Sequence, residues 1–272
     1  MKDILLRSLS GLLYVILLIF VLSIDSPHGF IILFFVFGII SLIEFKKLIQ
    51  LKSSIPYFIF VILYVVFGYW RLVLDSDTGL NEATKIFMVL TIFVELFLIK
   101  DLFSRKTIPL FDTKRFLITT FYLSSGFVFL ALIASVFSPK ILLGAFMLVW
   151  VNDSFAYLVG KNFGKQKLFE KISPKKTVEG FLGGLFFACV ASYFISSFTE
   201  TLNFTNWLIL SIIISVFGTL GDLIESKFKR QANVKDSGTI MPGHGGLLDR
   251  LDSIIFASPF IYLFLIISLY VS

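Results

Sequence analysis

Nine runs of apolar residues, roughly 4–24, 29–45, 55–74, 83–100, 116–137, 139–160, 178–198, 205–226 and 253–271, occupy about two thirds of this 272-residue chain. Each is long enough, or nearly so, to cross about 30 Å of hydrocarbon as a helix. Inside lipid every backbone N–H and C=O must find a partner within the protein, which leaves helices and closed barrels. The runs are continuously apolar rather than alternating with period two, so a barrel is excluded. Only 15% of the residues are charged, against about 25% in an ordinary soluble domain. A disordered chain, a coiled coil and an ordinary soluble enzyme are excluded with it. The expected fold is all-α, a polytopic integral membrane protein with about nine transmembrane helices.

Lysine and arginine set the orientation. With the N-terminus in the cytoplasm, the alternate connections carry 21 positive charges on the cytoplasmic side and leave only Arg71, Lys85 and Lys140 on the other. Such a split is a strong positive-inside signal and places the C-terminus outside. Lys2 and Arg7 precede the first run, but it ends in Asp25-Ser26-Pro27 without a small-x-small cleavage site. It reads as an uncleaved span rather than a signal peptide.

The two halves differ. Residues 1–137 are spans with short basic connections, about five helices of scaffold. Residues 138–272 hold about four helices and the two longest polar connections, 161–177 and 227–252, both on the cytoplasmic side. The chemistry is expected there. Cys189 is the sole cysteine, and His28 and His244 are the only histidines. That inventory excludes a disulfide within the chain and makes no zinc site, so a bound metal needs oxygen ligands.

Carboxylates at membrane depth mark candidate sites, because burying one in a span is costly unless it faces a cavity or a partner. Asp153, beside Asn152, lies in the sixth run, and Asp222 in the eighth. Asp222, Glu225, Ser226 and Lys229 recur at i, i+3, i+4 and i+7 and share one helical face. Beyond them come Arg230, Lys235, Asp236, the glycine-rich Pro242-Gly243-His244-Gly245-Gly246, then Asp249, Arg250 and Asp252. Glycines allow positive φ and close approach of a ligand to backbone N–H groups. Asp249 and Asp252 open the ninth span, where helix capping accounts for one of them. His244 either donates to a phosphate or satisfies the turn.

A second cluster is Ser173-Pro174-Lys175-Lys176-Thr177-Val178-Glu179-Gly180. Ser then Pro predicts a helix start. Lys175 and Lys176 then fall in its first turn, where the macrodipole disfavours cations unless an anion binds beside them. Gly180 and Gly184 form a GxxxG pair suited to close helix packing. Acidic groups for Mg²⁺, basic groups for phosphates and a glycine-rich turn on one side of a membrane suit phosphoryl or nucleotidyl transfer to a lipid.

These residues resemble the phosphatidate cytidylyltransferase (CDP-diacylglycerol synthase) family. Ser226–Arg230, Lys235–Gly238 and Pro242–Asp252 are similar to its long C-terminal motif through about 27 consecutive positions. Asn152–Tyr157 and Ser173–Gly180 are similar to two further motifs, in the expected order. The resemblance implies the reaction CTP (or dCTP) + phosphatidate → CDP-diacylglycerol + pyrophosphate, in phospholipid biosynthesis. It implies a multi-pass protein of the inner (plasma) membrane, a homodimer whose site faces the cytoplasm, with no nucleic-acid partner. It also implies a dinuclear centre of Mg²⁺ and a second ion, for which a monovalent cation is a candidate. Carried over, the metal pair is Asp222 and Asp249, with Asp252 as a further candidate.

The expected catalytic set is then Asp222, Asp249, Lys175, Lys176 and Arg250. Substrate contacts are expected from Asn152, Asp153, Ser173, Thr177, Ser226, Arg230, Lys235, Asp236 and His244. Two alternatives stand beside this reading. A CTP-dependent lipid kinase of the dolichol-kinase type would attack the γ-phosphorus instead. A transporter would use Asp153 and Asp222 as an ion path, but no internal repeat supports it.

Overall fold

The structure, a computed structural model, describes residues 2–24, 26–70, 80–104, 107–241, 243 and 245–271. Among them, each of the nine apolar runs forms one helical segment. These are α1 (Lys2–Ser23), α2 (Pro27–Leu48), α3 (Ile55–Leu63, continued by a π-helical stretch Tyr64–Trp70), α4 (Leu80–Phe103) and α5 (Asp112–Val136). They continue with α6 (Pro139–Phe163), α7 (Val178–Thr199), α8 (Phe204–Gln231) and α9 (Leu248–Val271). The only sheet among the described residues is a hairpin between α6 and α7, β1 (Lys167–Phe169) and β2 (Ser173–Thr177).

Six of these helices, α2 and α5 to α9, are long and apolar enough to cross a membrane. The protein is thus an all-α protein of membrane-spanning type. The apolar parts of α1 and α3, Gly11–Ser23 and Ile55–Tyr69, are shorter. α4 has the length, but Glu82, Lys85, Glu95, Lys100 and Asp101 interrupt its apolar character.

Local sequence explains the helix starts. Pro27 and Pro139 sit in the first turns of α2 and α6, where a missing N–H costs nothing. Ser138 caps α6 by accepting from Lys140 N (3.2 Å), and Asn203 caps α8 by accepting from Asn206 N (2.8 Å).

α5 is the axial helix of the bundle. Phe127 to Ala134 are all buried, on every face of the helix. Its middle widens into a π-helical stretch, Thr119–Ser124, where side-chain hydroxyls compete for backbone carbonyls. Thr119 Oγ1 donates to Arg115 O (2.7 Å) and Ser124 Oγ to Thr119 O (3.0 Å). The widened turn aims Tyr122 among the rings of Phe45, Phe228 and Phe256, joining α2, α8 and α9.

The ends of the helices that carry the basic connections meet on one face. Lys227 of α8 donates to Asp101 O and Ser104 O at the end of α4. Gln231 clasps Ile108 through both its backbone N (3.1 Å) and O (2.7 Å). Arg230 Nε reaches Ile172 O in the hairpin turn (3.3 Å). Both polar connections singled out in the sequence therefore lie together.

Candidate active site

α6 and α7 come together unusually closely. A Cβ on Gly180 would lie 2.7 Å from Ala156 O, and one on Gly184 2.6 Å from Asn152 O. Only glycine permits this approach, which is the packing role expected of the GxxxG pair. It sets Asn152 and Asp153 beside the hairpin. α8 brings Asp222, and the first turns of α9 bring Asp249, Arg250 and Asp252. All of these line one cavity of about 760 Å³. Ser173, Lys175, Lys176, Thr177 and Asp236 line it as well.

The hairpin corrects one expectation. Ser173–Thr177 does not start a helix. It is strand β2, antiparallel to β1 with Lys167 opposite Thr177 and Phe169 opposite Ser173. The helix begins at Val178, and Thr177 is its cap: extended at φ −125°, its Oγ1 accepts from Gly180 N (3.1 Å). A threonine that caps and pairs in a strand outcompetes the Ser-Pro start four residues earlier. Lys175 and Lys176 thus lie in the strand before the helix and not in its first turn. They reach the cavity from the strand, Lys175 exposed and Lys176 half-buried.

Two ion-paired aspartates form the centre. Asp222 Oδ2 accepts from Lys176 Nζ, and Asp222 Oδ1 from Ser226 Oγ (3.2 Å). Asp249 Oδ1 accepts from Lys229 Nζ (2.7 Å), which also pairs with the fully buried Glu225 (2.5 Å). Asp249 Oδ2 takes three donors: Ser237 N (2.9 Å), Ser237 Oγ (2.9 Å) and Gly246 N (2.7 Å). The turn between is closed by Met241 N donating to Gly245 O (3.0 Å), with Gly243 and Gly245 at φ 75° and 89°. These angles are open to glycine and strained for most other residues.

Asp153 accepts from Asn152 Nδ2 (3.3 Å), and Asp252 from its neighbour Ser253 N (2.6 Å). Asn152 Oδ1 is buried at the cavity wall and, among the described residues, has no hydrogen-bond partner.

Not every expected residue gathers here. Ser226 touches the site through Asp222. Arg230 braces the hairpin turn and donates to Val234 O (3.0 Å), away from the cavity. Lys235 is exposed and does not line it. His244 lies outside the described residues. Two residues absent from the expected set matter. Lys229 joins Glu225 to Asp249, as its i+4 and motif positions could have signalled. Glu44 of α2 is buried against the glycine-rich turn. In the sequence it sits beside Lys46 and Lys47 at the end of a span, where a charge reads as interfacial.

The donor chemistry fits a hard cation such as Mg²⁺: Asp153, Asp222, Asp249 and Asp252 offer carboxylate oxygens on one cavity. Among the described residues no group of three or more ligands is arranged around a metal position. Lysine ammonium groups occupy the carboxylates instead, Lys176 on Asp222 and Lys229 on Asp249. Asp222 needs only to exchange one half-exposed lysine for a cation. Asp249 accepts four donors, three of them from the loop before α9.

Long apolar helices around a cavity of opposed carboxylates and ammonium groups define a helical protein of membrane-spanning type with one charged cavity. The chain belongs to the cytidylyltransferase family, whose model matches residues 5–268. It is 36% identical to the phosphatidate cytidylyltransferase of Bacillus subtilis (strain 168), over 97% of this chain and 98% of that one. It is 34% identical to that of Staphylococcus epidermidis (strain RP62A) and 36% to that of Staphylococcus aureus (strain COL), each over 93% of this chain and 96% of the relative.

Proposed function

We propose that this protein is a phosphatidate cytidylyltransferase, making CDP-diacylglycerol and pyrophosphate from CTP or dCTP and phosphatidate. The observation that carries the reading is one cavity in which Asp222 and Asp249 oppose Lys176 and Lys229, with Lys175 and Arg250 on its rim. The kinase alternative has no such feature of its own to favour it.

Phosphatidate brings an ionised phosphate oxygen, so no side chain has to act as nucleophile or strong base. That oxygen forms a bond to the α-phosphorus of the nucleotide. The bond from the α-phosphorus to the α,β-bridging oxygen breaks, and pyrophosphate leaves with the electron pair. The protein supplies position and charge neutralisation. Lys175, Lys176 and Arg250 bind phosphate oxygens, and Lys176 leaves Asp222 to do so. Asn152, whose oxygen has no hydrogen-bond partner among the described residues, and Asp153 orient the nucleotide or the lipid headgroup. Tyr157 and Phe181 give the cavity an apolar wall suited to the acyl end of a lipid. Asp222 and Asp249, with Asp252 beside them, are the residues that would hold Mg²⁺ and a second ion. Bound there, Mg²⁺ would neutralise charge developing on the leaving pyrophosphate.

In this reading all nine helical segments span the inner membrane, with the N-terminus and the site in the cytoplasm and the C-terminus outside. The protein works as a homodimer. Residues 1–137 are chiefly scaffold and 138–272 carry the chemistry. The deciding experiment supplies purified protein with Mg²⁺, phosphatidate and CTP labelled in either the α- or the γ-phosphate. The α-label is expected in the lipid and the γ-label in pyrophosphate. Transfer of γ-label to the lipid would make the protein a lipid kinase.

A further inference from the structure

Glu44 sits in the last turns of α2, in the half of the chain that the sequence assigns to scaffold. Its side chain is not directed to the surface as an interfacial charge would be. The residue is 2% exposed and lies against the turn that precedes α9. A carboxylate at that depth persists only where its oxygens accept hydrogen bonds. Glu44 Oε1 accepts from Leu247 N (3.1 Å) and Oε2 from Leu248 N (2.9 Å).

Those two amides open α9 and have no acceptor within their own helix. The cap of α9 is therefore supplied by another helix, about two hundred residues earlier in the chain. The turn is built to admit it. A Cβ on Gly238 would lie 2.2 Å from Glu44 Oε1, and one on Gly246 would lie 2.1 Å from Ser237 Oγ and 2.6 Å from Glu44 Oε2.

Ser237 ties this cap to the site. Its hydroxyl lies 2.9 Å from Asp249 Oδ2 and 3.3 Å from Glu44 Oε2. One O–H proton cannot serve both carboxylates, and the shorter contact takes it. Glu44 thus fixes the backbone at 247–248, Asp249 fixes Ser237 and Gly246, and both act on one short segment. The first turns of α9 carry Asp249, Arg250 and Asp252, which all line the cavity.

We propose that Glu44 is a positioning residue for the transfer reaction, holding the start of α9 so that Asp249, Arg250 and Asp252 meet the substrates in register. The inference rests on the function proposed above. It makes α2 part of the active site's support.

Glu44→Gln is nearly isosteric but turns a donor amide toward a backbone N–H. Gly238→Ala keeps the carboxylate and pushes a methyl group against it alone, since the three nearest atoms to a Cβ there all belong to Glu44. Each variant is purified alongside the wild type, its folded fraction measured by thermal unfolding and size exclusion, and kcat and KM determined per folded protein. Both variants should lose at least about tenfold in kcat, the loss expected for a broken hydrogen bond to a charged group. The KM for CTP and for phosphatidate should rise by less than kcat falls, since Lys175 and Lys176 are untouched and only Arg250 shifts with α9. The double variant should be no slower than the slower single one, because both act through one contact. Wild-type kcat per folded protein in Gly238→Ala, or in Glu44→Gln where it folds, would overturn the inference, as would a rise in KM with kcat unchanged. If the wild type itself forms no CDP-diacylglycerol, it is the proposed function that fails.

Discussion

At the scale of single residues, Asp222 and Asp249 look alike in the sequence and differ in the fold. Asp222 holds one lysine and one serine, all at the rim of a cavity. Asp222→Asn keeps the size and removes the charge, so turnover should fall at least about a hundredfold. The thermal midpoint should hardly move. Asp249 accepts four donors, three of them from the loop it closes. An asparagine there has one acceptor oxygen, which can serve the loop or Lys229 but not both. Asp249→Asn should therefore lose activity and also lower the midpoint, with new protease cleavage between 236 and 247. Equal midpoints for the two variants would refute this division. The lysines separate in the same way. Lys176→Ala strips Asp222 of its partner and should depress kcat as well as raise KM. Lys175→Ala should raise KM alone, by an amount that shrinks as salt screens the exposed charge. Steady-state kinetics at low and high salt decide between them.

At the scale of elements, the contact of α6 with α7 is the one most sensitive to a single side chain. Gly184→Val would drive its side chain into Asn152 O, and overpacking of this kind costs about 1–3 kcal/mol. Because Asn152 and Asp153 sit on that contact, activity should fall along with the thermal midpoint. A variant with both unchanged would mean that the helices can part without consequence. α4 offers the opposite case. Glu95 is fully buried and, among the described residues, neither carboxylate oxygen has a hydrogen-bond partner. Glu95→Gln keeps the shape and cannot carry a charge, so the midpoint should hold or rise. A fall of several degrees, read by thermal unfolding in detergent, would show that the carboxylate itself is needed.

At the scale of the whole molecule, 21 of 24 basic residues fall on the connections that the positive-inside rule assigns to one side. Reporter fusions should place the N-terminus and the 161–177 and 227–252 connections in the cytoplasm and the C-terminus outside. A cytoplasmic C-terminus would mean that one of α1, α3 or α4, the three less strongly apolar segments, does not span. Where the helices run follows from the amino-acid order alone, because in lipid a long apolar run has no other way to satisfy its backbone. That order also determines which polar connections carry the ionisable residues, since charges at membrane depth stand out against so apolar a chain. The GxxxG contact was legible for a like reason, two small residues one turn apart on one helix. How the polar residues share partners depends instead on the packing of distant helices. Lys175 and Lys176 belong to a strand because Thr177 both pairs across the hairpin and caps α7, and no local rule weighs those two roles against a Ser-Pro start. Arg230 and Lys235 stand in the same motif as Asp249 yet do not line the cavity, because a motif orders residues along the chain and not around it. Glu44 was invisible for the plainest physical reason. Its partners are two backbone amides about two hundred residues away, and amides carry no side-chain signature for a sequence to display.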